Sequence, residues 1–202
     1  MKIGVLALQG AFIEHIHMLE RVPSVEAVEV RRTSQIQGLS GLIIPGGEST
    51  TILKLIRQHG IDSRLTELSG NGFPIWGTCA GTILLAGQIA NTNPNMPAGL
   101  GLMNITVVRN AFGRQVDSFE SNLQIPVLGD IPFPAVFIRA PLIEETQPPV
   151  EVLARLGNGS IVAARQENLL ATTFHPELGQ DDRFHRYFIT MAEAYLAYSR
   201  DC

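Results

Sequence analysis

Short apolar runs alternate with longer stretches of helical period along this chain. Ile3 to Leu8 carries no charge and reads as a first buried strand. Gln9-Gly10 turns the chain, and Ala11 to Arg21 has helical spacing that Pro23 stops. Val25 to Val30 alternates as a second strand. Leu42-Ile43-Ile44 is a third, closed by Pro45-Gly46-Gly47, and Ser49 or Thr50 is placed to cap a helix running through Gln58. Pro74-Ile75-Trp76 is a fourth strand, and Thr82 to Gln88 begins another helix. Further strands are expected at Asn104 to Arg109, Val136 to Arg139, Glu151 to Leu156, Ser160 to Arg165 and Leu170 to Phe174, with antiparallel additions among them. Asp182 to Ser199 is a closing amphipathic helix. Asn91 to Gly101 and Asn122 to Pro134 are irregular, but strands resume after each, so neither reads as a linker. The pattern predicts one α/β domain over residues 1–202: an open, mostly parallel central sheet, helices on both faces and some antiparallel strands.

Composition narrows the function classes. The chain has 202 residues, 45% hydrophobic and 17% charged, with a net charge of −4. That is an ordinary globular balance without the basic footprint of a nucleic-acid binder. No apolar run is long enough to span a membrane, and Met1-Lys2 leads straight into a strand rather than a leader peptide. Only Cys79 and Cys202 are present, so a reducing, cytoplasmic setting is expected. The cysteine and histidine spacings supply no zinc set, and neither metal nor cofactor is expected.

Gly77-Thr78-Cys79-Ala80-Gly81, between a strand and a helix, has the form of a nucleophile elbow. A sharp turn would lift the sulfur to the carboxyl edge of the sheet, and side chains at the two glycines would crowd the backbone there. The N–H of Ala80 is placed to serve as one oxyanion donor. A buried structural cysteine between two close-packing glycines fits the same five residues. His175-Pro176-Glu177 follows the strand ending at Phe174. If that strand runs parallel to the elbow strand, His175 arrives at the same edge as a base, and Glu177, two residues on, can orient it. An exposed turn is the plain alternative for the tripeptide alone, and co-occurrence with the elbow argues against it. The other histidines read as incidental. His15 and His17 face different sides of their helix, His59 closes one, and His185 is expected on the surface of the last helix. Pro45-Gly46-Gly47-Glu48-Ser49 also joins strand to helix, and the N–H of Gly47 can face Ala80 across an oxyanion. Anion binding at the helix start and a simple capped turn remain open, though no lysine follows the glycines as a phosphate loop requires.

Together these elements resemble the triad glutamine amidotransferases and, among them, the glutaminase subunits of pyridoxal 5′-phosphate synthase. The resemblance covers nearly the whole chain. It rests on Leu6-Ala7-Leu8-Gln9-Gly10-Ala11 with Glu14-His15, on Pro45-Gly46-Gly47-Glu48-Ser49-Thr50-Thr51, and on Trp76-Gly77-Thr78-Cys79-Ala80-Gly81. It continues through Arg109-Asn110-Ala111-Phe112-Gly113-Arg114-Gln115, Ser118-Phe119-Glu120, Phe137-Ile138-Arg139-Ala140-Pro141 and His175-Pro176-Glu177-Leu178. It implies a flavodoxin-like amidotransferase fold. It also implies Cys79 as nucleophile, His175 as general base, Glu177 as its orienter, and Gly47 and Ala80 as the oxyanion hole. Gly47, Glu48, Ser49, Arg109, Ile138 and Arg139 would then contact L-glutamine. A surface salt bridge is the ordinary alternative for the two arginines. The implied partner is a barrel-shaped synthase subunit in a hetero-oligomer, which receives the ammonia. Docking near Gln9-Gly10 and Gly46-Gly47 would reorient a peptide and complete the oxyanion hole. The chain departs from the family pattern at Gly179-Gln180-Asp181-Asp182, at Thr82 and in a longer stretch from Asn122 to Pro134.

Rival readings are the glutaminase subunit of imidazole glycerol phosphate synthase, a cysteine peptidase or chaperone-like relative of the fold, and a non-catalytic scaffold. The first lacks the Arg-Asn-Ala-Phe-Gly-Arg-Gln run. The second has no need of arginines at 109 and 139. The third is marked by loss of Cys79, His175 or Glu177, all of which are present.

Overall fold

The computed structural model describes residues 1–90, 98–109 and 118–200. Part of the irregular segment at 91–101, the run Asn110 to Gln115 and Cys202 lie outside the described residues. The chain enters the sheet with β1 (Lys2–Leu6), crosses through α1 (Phe12–Glu20) to β2 (Glu26–Val30), and returns to β3 (Gly41–Ile44). Helices α2 (Ser49–Gln58) and α3 (Ile61–Gly70) lead to β4 (Ile75–Thr78), α4 (Ala80–Leu85) and β5 (Ala86–Ala90). Then come β6 (Met103–Val108), β7 (Ser118–Leu123), β8 (Phe133–Ile138), β9 (Leu142–Thr146), β10 (Glu151–Arg155), β11 (Ile161–Gln166), β12 (Leu169–Thr172) and α5 (Arg183–Arg200).

Ten strands form one sheet in the order β2-β1-β3-β4-β12-β11-β9-β6-β5, with β10 also paired to β11. The first five run parallel, in register from Lys2↔Glu26 to Thr172↔Thr78. Beyond β12 the pairings with β11, β9 and β10 are antiparallel, and β5–β6 is again parallel. Strands β7 and β8 form a separate antiparallel ribbon. The expected mostly parallel sheet with antiparallel additions is therefore what the chain forms.

Period-two alternation decides which helix covers which face. Leu42, Ile44, Ile75, Leu169 and Ala171 pack with Ile52, Leu53, Ile56, Leu65 and Leu84 of α2, α3 and α4. Their neighbours Ile3, Val5, Ile43, Trp76 and Leu170 pack the other way, against Leu19 of α1 and Phe184, Phe188 and Ile189 of α5. Inner residues of the β7–β8 ribbon, Leu123, Phe133, Ala135 and Phe137, extend this second cluster. The sheet is buried on both faces, as crossover connections require.

Three local expectations are corrected. The helix expected over Thr82 to Gln88 ends at Leu85, and Ala86, Gly87 and Gln88 belong to β5. Ile83-Leu84-Leu85-Ala86 is apolar throughout, so its period does not mark the change. Glu48, not Ser49 or Thr50, caps α2: its carboxylate accepts from Thr50 N at 3.3 Å and Thr50 Oγ1 at 3.0 Å, while Ser49 is already helical and buried. The stretch from Asn122 to Pro134 is irregular only in its middle, since both ends pair in the β7–β8 ribbon. Among the described residues, no helix is long and apolar enough to cross a membrane.

Candidate active site

The ends of β1, β3, β4 and β12 meet at one edge of the sheet, where the order of winding reverses and open α/β folds leave a crevice. Each contributes a loop. After β4 the chain turns at Cys79, which takes φ +47° and ψ −103°. A residue other than glycine in that region is strained and needs surrounding structure to hold it. The Cys79 N–H donates to Thr172 O at 2.8 Å, and Thr82 N–H donates to Cys79 O at 3.1 Å. The Thr82 hydroxyl, fully buried, lies 2.7 Å from Thr172 O and 3.0 Å from Gly77 O, tying α4 to the strands on either side of the turn. The glycines are there for close approach. A Cβ on Gly77 would lie 2.5 Å from the Gly81 carbonyl carbon, and one on Gly81 would overlap Ile44 O.

After β12 the chain runs through Phe174 into a short 3₁₀ turn at Pro176–Leu178. His175 N–H donates to Val136 O at 2.8 Å, fixing the loop against β8. This places His175 Nδ1 2.6 Å from Glu177 Oε1, with both side chains buried. The other edge of the imidazole meets Cys79. Burial opposes a charge on His175, but its hydrogen bonds to Cys79 and Glu177 and their negative charge prevail, raising it from an ordinary 6.5 to about 10. His175 is thereby held protonated at neutral pH, between a carboxylate and a sulfur.

The loop after β3 closes over this pair. A Cβ on Gly46 would overlap His175 Cε1 and lie 3.2 Å from Cys79 Cβ, so only a bare backbone fits. The Gly46 carbonyl accepts from Ala11 N–H at 3.0 Å, at the start of α1. A trans peptide sets its N–H opposite its carbonyl, so the Gly47 N–H points away from α1. Gly10, at φ +99°, permits this approach, because a Cβ there would overlap Gly46 O. The Gln9 side chain accepts from Glu48 N–H at 2.8 Å and braces the start of α2.

The structure thus brings Cys79, His175, Glu177 and Gly46-Gly47 together, with Ala80 immediately following the turn. Ile138 O lies 3.9 Å from Cys79 Sγ, and Arg139, exposed at φ +44°, follows at the end of β8. Arg109 is half-buried after β6, and the rest of its motif lies outside the described residues. Glu48 is already engaged as a helix cap, with its backbone at the mouth of the crevice. Two residues escaped the sequence reading. His185 is fully buried rather than on the surface, and it pairs with His15, also fully buried, directly behind Glu177. The signal was their place on inward helical positions. Its meaning depended on a contact across most of the chain.

Known proteins resemble this chain over nearly its whole length. The model of the SNO glutamine amidotransferase family matches residues 5–194. A protein of Dehalococcoides mccartyi named pyridoxal 5′-phosphate synthase subunit PdxT is 60% identical over 195 residues, 96% of this chain and 99% of its own. The same-named protein of Moorella thermoacetica is 56% identical over 191 residues, covering 95% and 99%. A crystal structure of a glutamine amidotransferase superposes with a TM-score of 0.88 at 49% identity, over 95% of this chain and 98% of that one. PurLQS from Thermotoga maritima shares the fold alone, at a TM-score of 0.68 and 14% identity over 94% and 97%. By the breadth of the family match and the closeness of these relatives, the chain belongs to the SNO glutamine amidotransferase family.

Proposed function

We propose that this chain hydrolyses L-glutamine to L-glutamate and ammonia through a thioester on Cys79, and passes the ammonia to a synthase subunit that makes pyridoxal 5′-phosphate. The observation that carries the reading is the strained Cys79 turn facing an imidazole that Glu177 holds at 2.6 Å. The Cys79 sulfur attacks the amide carbon while the N–H groups of Gly47 and Ala80 receive the developing oxyanion. His175 gives a proton to the departing nitrogen, and ammonia leaves. His175 then takes a proton from water as the water oxygen attacks the thioester; the carbon–sulfur bond breaks, glutamate leaves, and the sulfur faces a protonated His175 again. One water is consumed for each ammonia released. Arg109 and Arg139 are assigned to the glutamine carboxylate, where a guanidinium fork matches two oxygens. Gly47, Glu48, Ser49 and the Ile138 backbone border the remainder of the substrate.

The pathway follows the close relatives, whose names are those of a pyridoxal 5′-phosphate synthase subunit. The partner is assigned as a barrel-shaped synthase subunit in a cytoplasmic hetero-oligomer. Docking beside Gln9-Gly10 would free the Gly46–Gly47 peptide from Ala11 and turn it for oxyanion binding. The test is glutamate release from glutamine with and without the co-purified synthase subunit. Release should rise on adding the partner and vanish in Cys79→Ala. Full partner-stimulated activity in that variant would overturn the mechanism. Stimulation by an imidazole-glycerol-phosphate cyclase instead would overturn the pathway.

A further inference from the structure

Two buried histidines have no part in the reaction as written. His15 lies on the inner face of α1 and His185 in the first turn of α5, both fully shielded from solvent. Their rings meet, with His15 Nδ1 2.9 Å from His185 Nε2. On its other edge, His15 Nε2 lies 3.1 Å from Thr78 Oγ1 and 3.3 Å from Glu177 Oε2. That carboxylate oxygen is buried and accepts no hydrogen bond, while its twin is taken up by His175. Trp76 packs edge-on against both rings, at 5.6 Å and 5.0 Å, and closes the space around them.

The network selects one arrangement of protons. A single proton lies between the two histidines. If His15 supplied it, His15 Nε2 would turn a lone pair toward the Glu177 carboxylate, and His185 Nδ1 would be a buried N–H without an acceptor. Both features are costly. If His185 supplies it from Nε2, His15 carries its proton on Nε2, facing Thr78 and Glu177. His185 Nδ1 is then a bare lone pair, the cheaper group to leave without a partner. Burial drives both rings toward the neutral form: His185 falls to about 3, and His15 is lowered well below its ordinary value, with nearby His185 and His175 adding to the effect. Two neutral rings with defined tautomers therefore stand in line behind Glu177.

We propose that His15 is a positioning residue for the Cys79 site: its Nε2–H, oriented by His185 and Thr78, lies 3.3 Å from the second oxygen of Glu177 and steadies the carboxylate against His175 by charge–dipole attraction rather than by a hydrogen bond of its own. The inference rests on the reading that Cys79, His175 and Glu177 carry the chemistry. Its physical content is simple. A carboxylate anchored through one oxygen can swing about its last torsion. One that faces an N–H dipole on each oxygen cannot, and a small error in placing a catalytic group costs rate heavily. Helices α1 and α5 are thereby wired to the nucleophile, although neither carries a residue that touches substrate.

The test compares His15→Leu, His15→Gln and His15→Asn, with His185→Phe as a remote variant, in the complex with the synthase subunit. Two quantities are read: kcat and KM for glutamate release, and the rate of Cys79 alkylation by iodoacetamide at pH 7. A glutamine amide nitrogen reaches the place of Nε2, and an asparagine one only that of Nδ1. The Leu variant should lose about tenfold or more in kcat with KM within about twofold, and alkylate more slowly. The Gln variant should recover most of both, the Asn variant little, and His185→Phe should fall between. A Leu variant that keeps its kcat overturns the proposal. So do Gln and Asn variants that behave alike, a comparison that stands even if the Leu variant does not fold. If the unaltered complex releases no glutamate, the functional reading fails by itself. The alkylation series still decides whether His15 sets the reactivity of Cys79.

Discussion

At the scale of single residues, three buried histidines shift in opposite directions: burial lowers His15 and His185, while the hydrogen bonds and charge around His175 outweigh its burial, and the effect is measurable. His175 binds its proton more tightly in the folded chain than its ordinary 6.5, up to about 10. Its contribution to stability is complete below about pH 6.5 and is lost as pH rises toward 10. His15 and His185 are lowered, so each contributes above about pH 6.5 and is lost as pH falls. Between pH 5 and 6.5 two groups take up protons only in the unfolded chain; between 6.5 and 8 one group holds a proton only in the folded chain. Denaturant titrations across this range should give a stability maximum near pH 6.5. The acid limb should be about twice as steep as the alkaline one, at roughly 1.4 kcal/mol per pH unit for each proton. A flat profile, or a steeper alkaline limb, would contradict the assigned network.

At the scale of elements, the start of α2 shows how a cap and a site share a residue. Glu48 holds Thr50 N–H and is held by Gln9 through its own N–H. Glu48→Ala should lower stability by about 1 kcal/mol, and Glu48→Asp should restore it, since aspartate is a strong cap. Thermal melts read this separately from activity, where both substitutions disturb the crevice. How far elements were legible from the chain follows the same logic. Strands β1, β3 and β4 stand out because both faces are buried and their residues are almost uniformly apolar. Helix α3 was missed because only Ile61 and Leu65 are buried in it, too few for a visible stripe. Strands β7 and β9 carry Glu120, Glu144 and Glu145 in short runs and look like loops. At the site, Cys79 and His175-Pro176-Glu177 announced themselves through local glycine and proline patterns. The His15–His185 pair did not, because 170 positions separate its members and only the packing of α1 against α5 joins them.

At the scale of the whole molecule, the turn at Gly179 to Asp182 and the stretch before β8 are tied together. Arg183 donates to Ile131 O at 2.6 Å and Pro132 O at 3.0 Å, and stands over the Phe133 ring. Asp181 grips the same guanidinium through both oxygens. The segment after the His175 turn thus anchors the ribbon whose Ile138 carbonyl lies beside Cys79. Arg183→Met keeps the apolar stem but removes the donors. It should leave the global melt within a few degrees while hastening hydrogen exchange at residues 124–132, which loses its tether. Equal exchange in both proteins would separate the two features again.

The order of strands has a consequence for synthesis. The elbow strand β4 sits between β3 and β12, and β12 comes last in chain order among the described strands. Until it emerges, one side of β4 is an unpaired apolar edge in search of a partner, the kind of surface chaperones cover. Cys79 is translated well before His175, so a nascent chain carries the cysteine without the imidazole or the helix behind it. The contact between Cys79 and the His175–Glu177 pair therefore forms only after the late elements of the chain have been made.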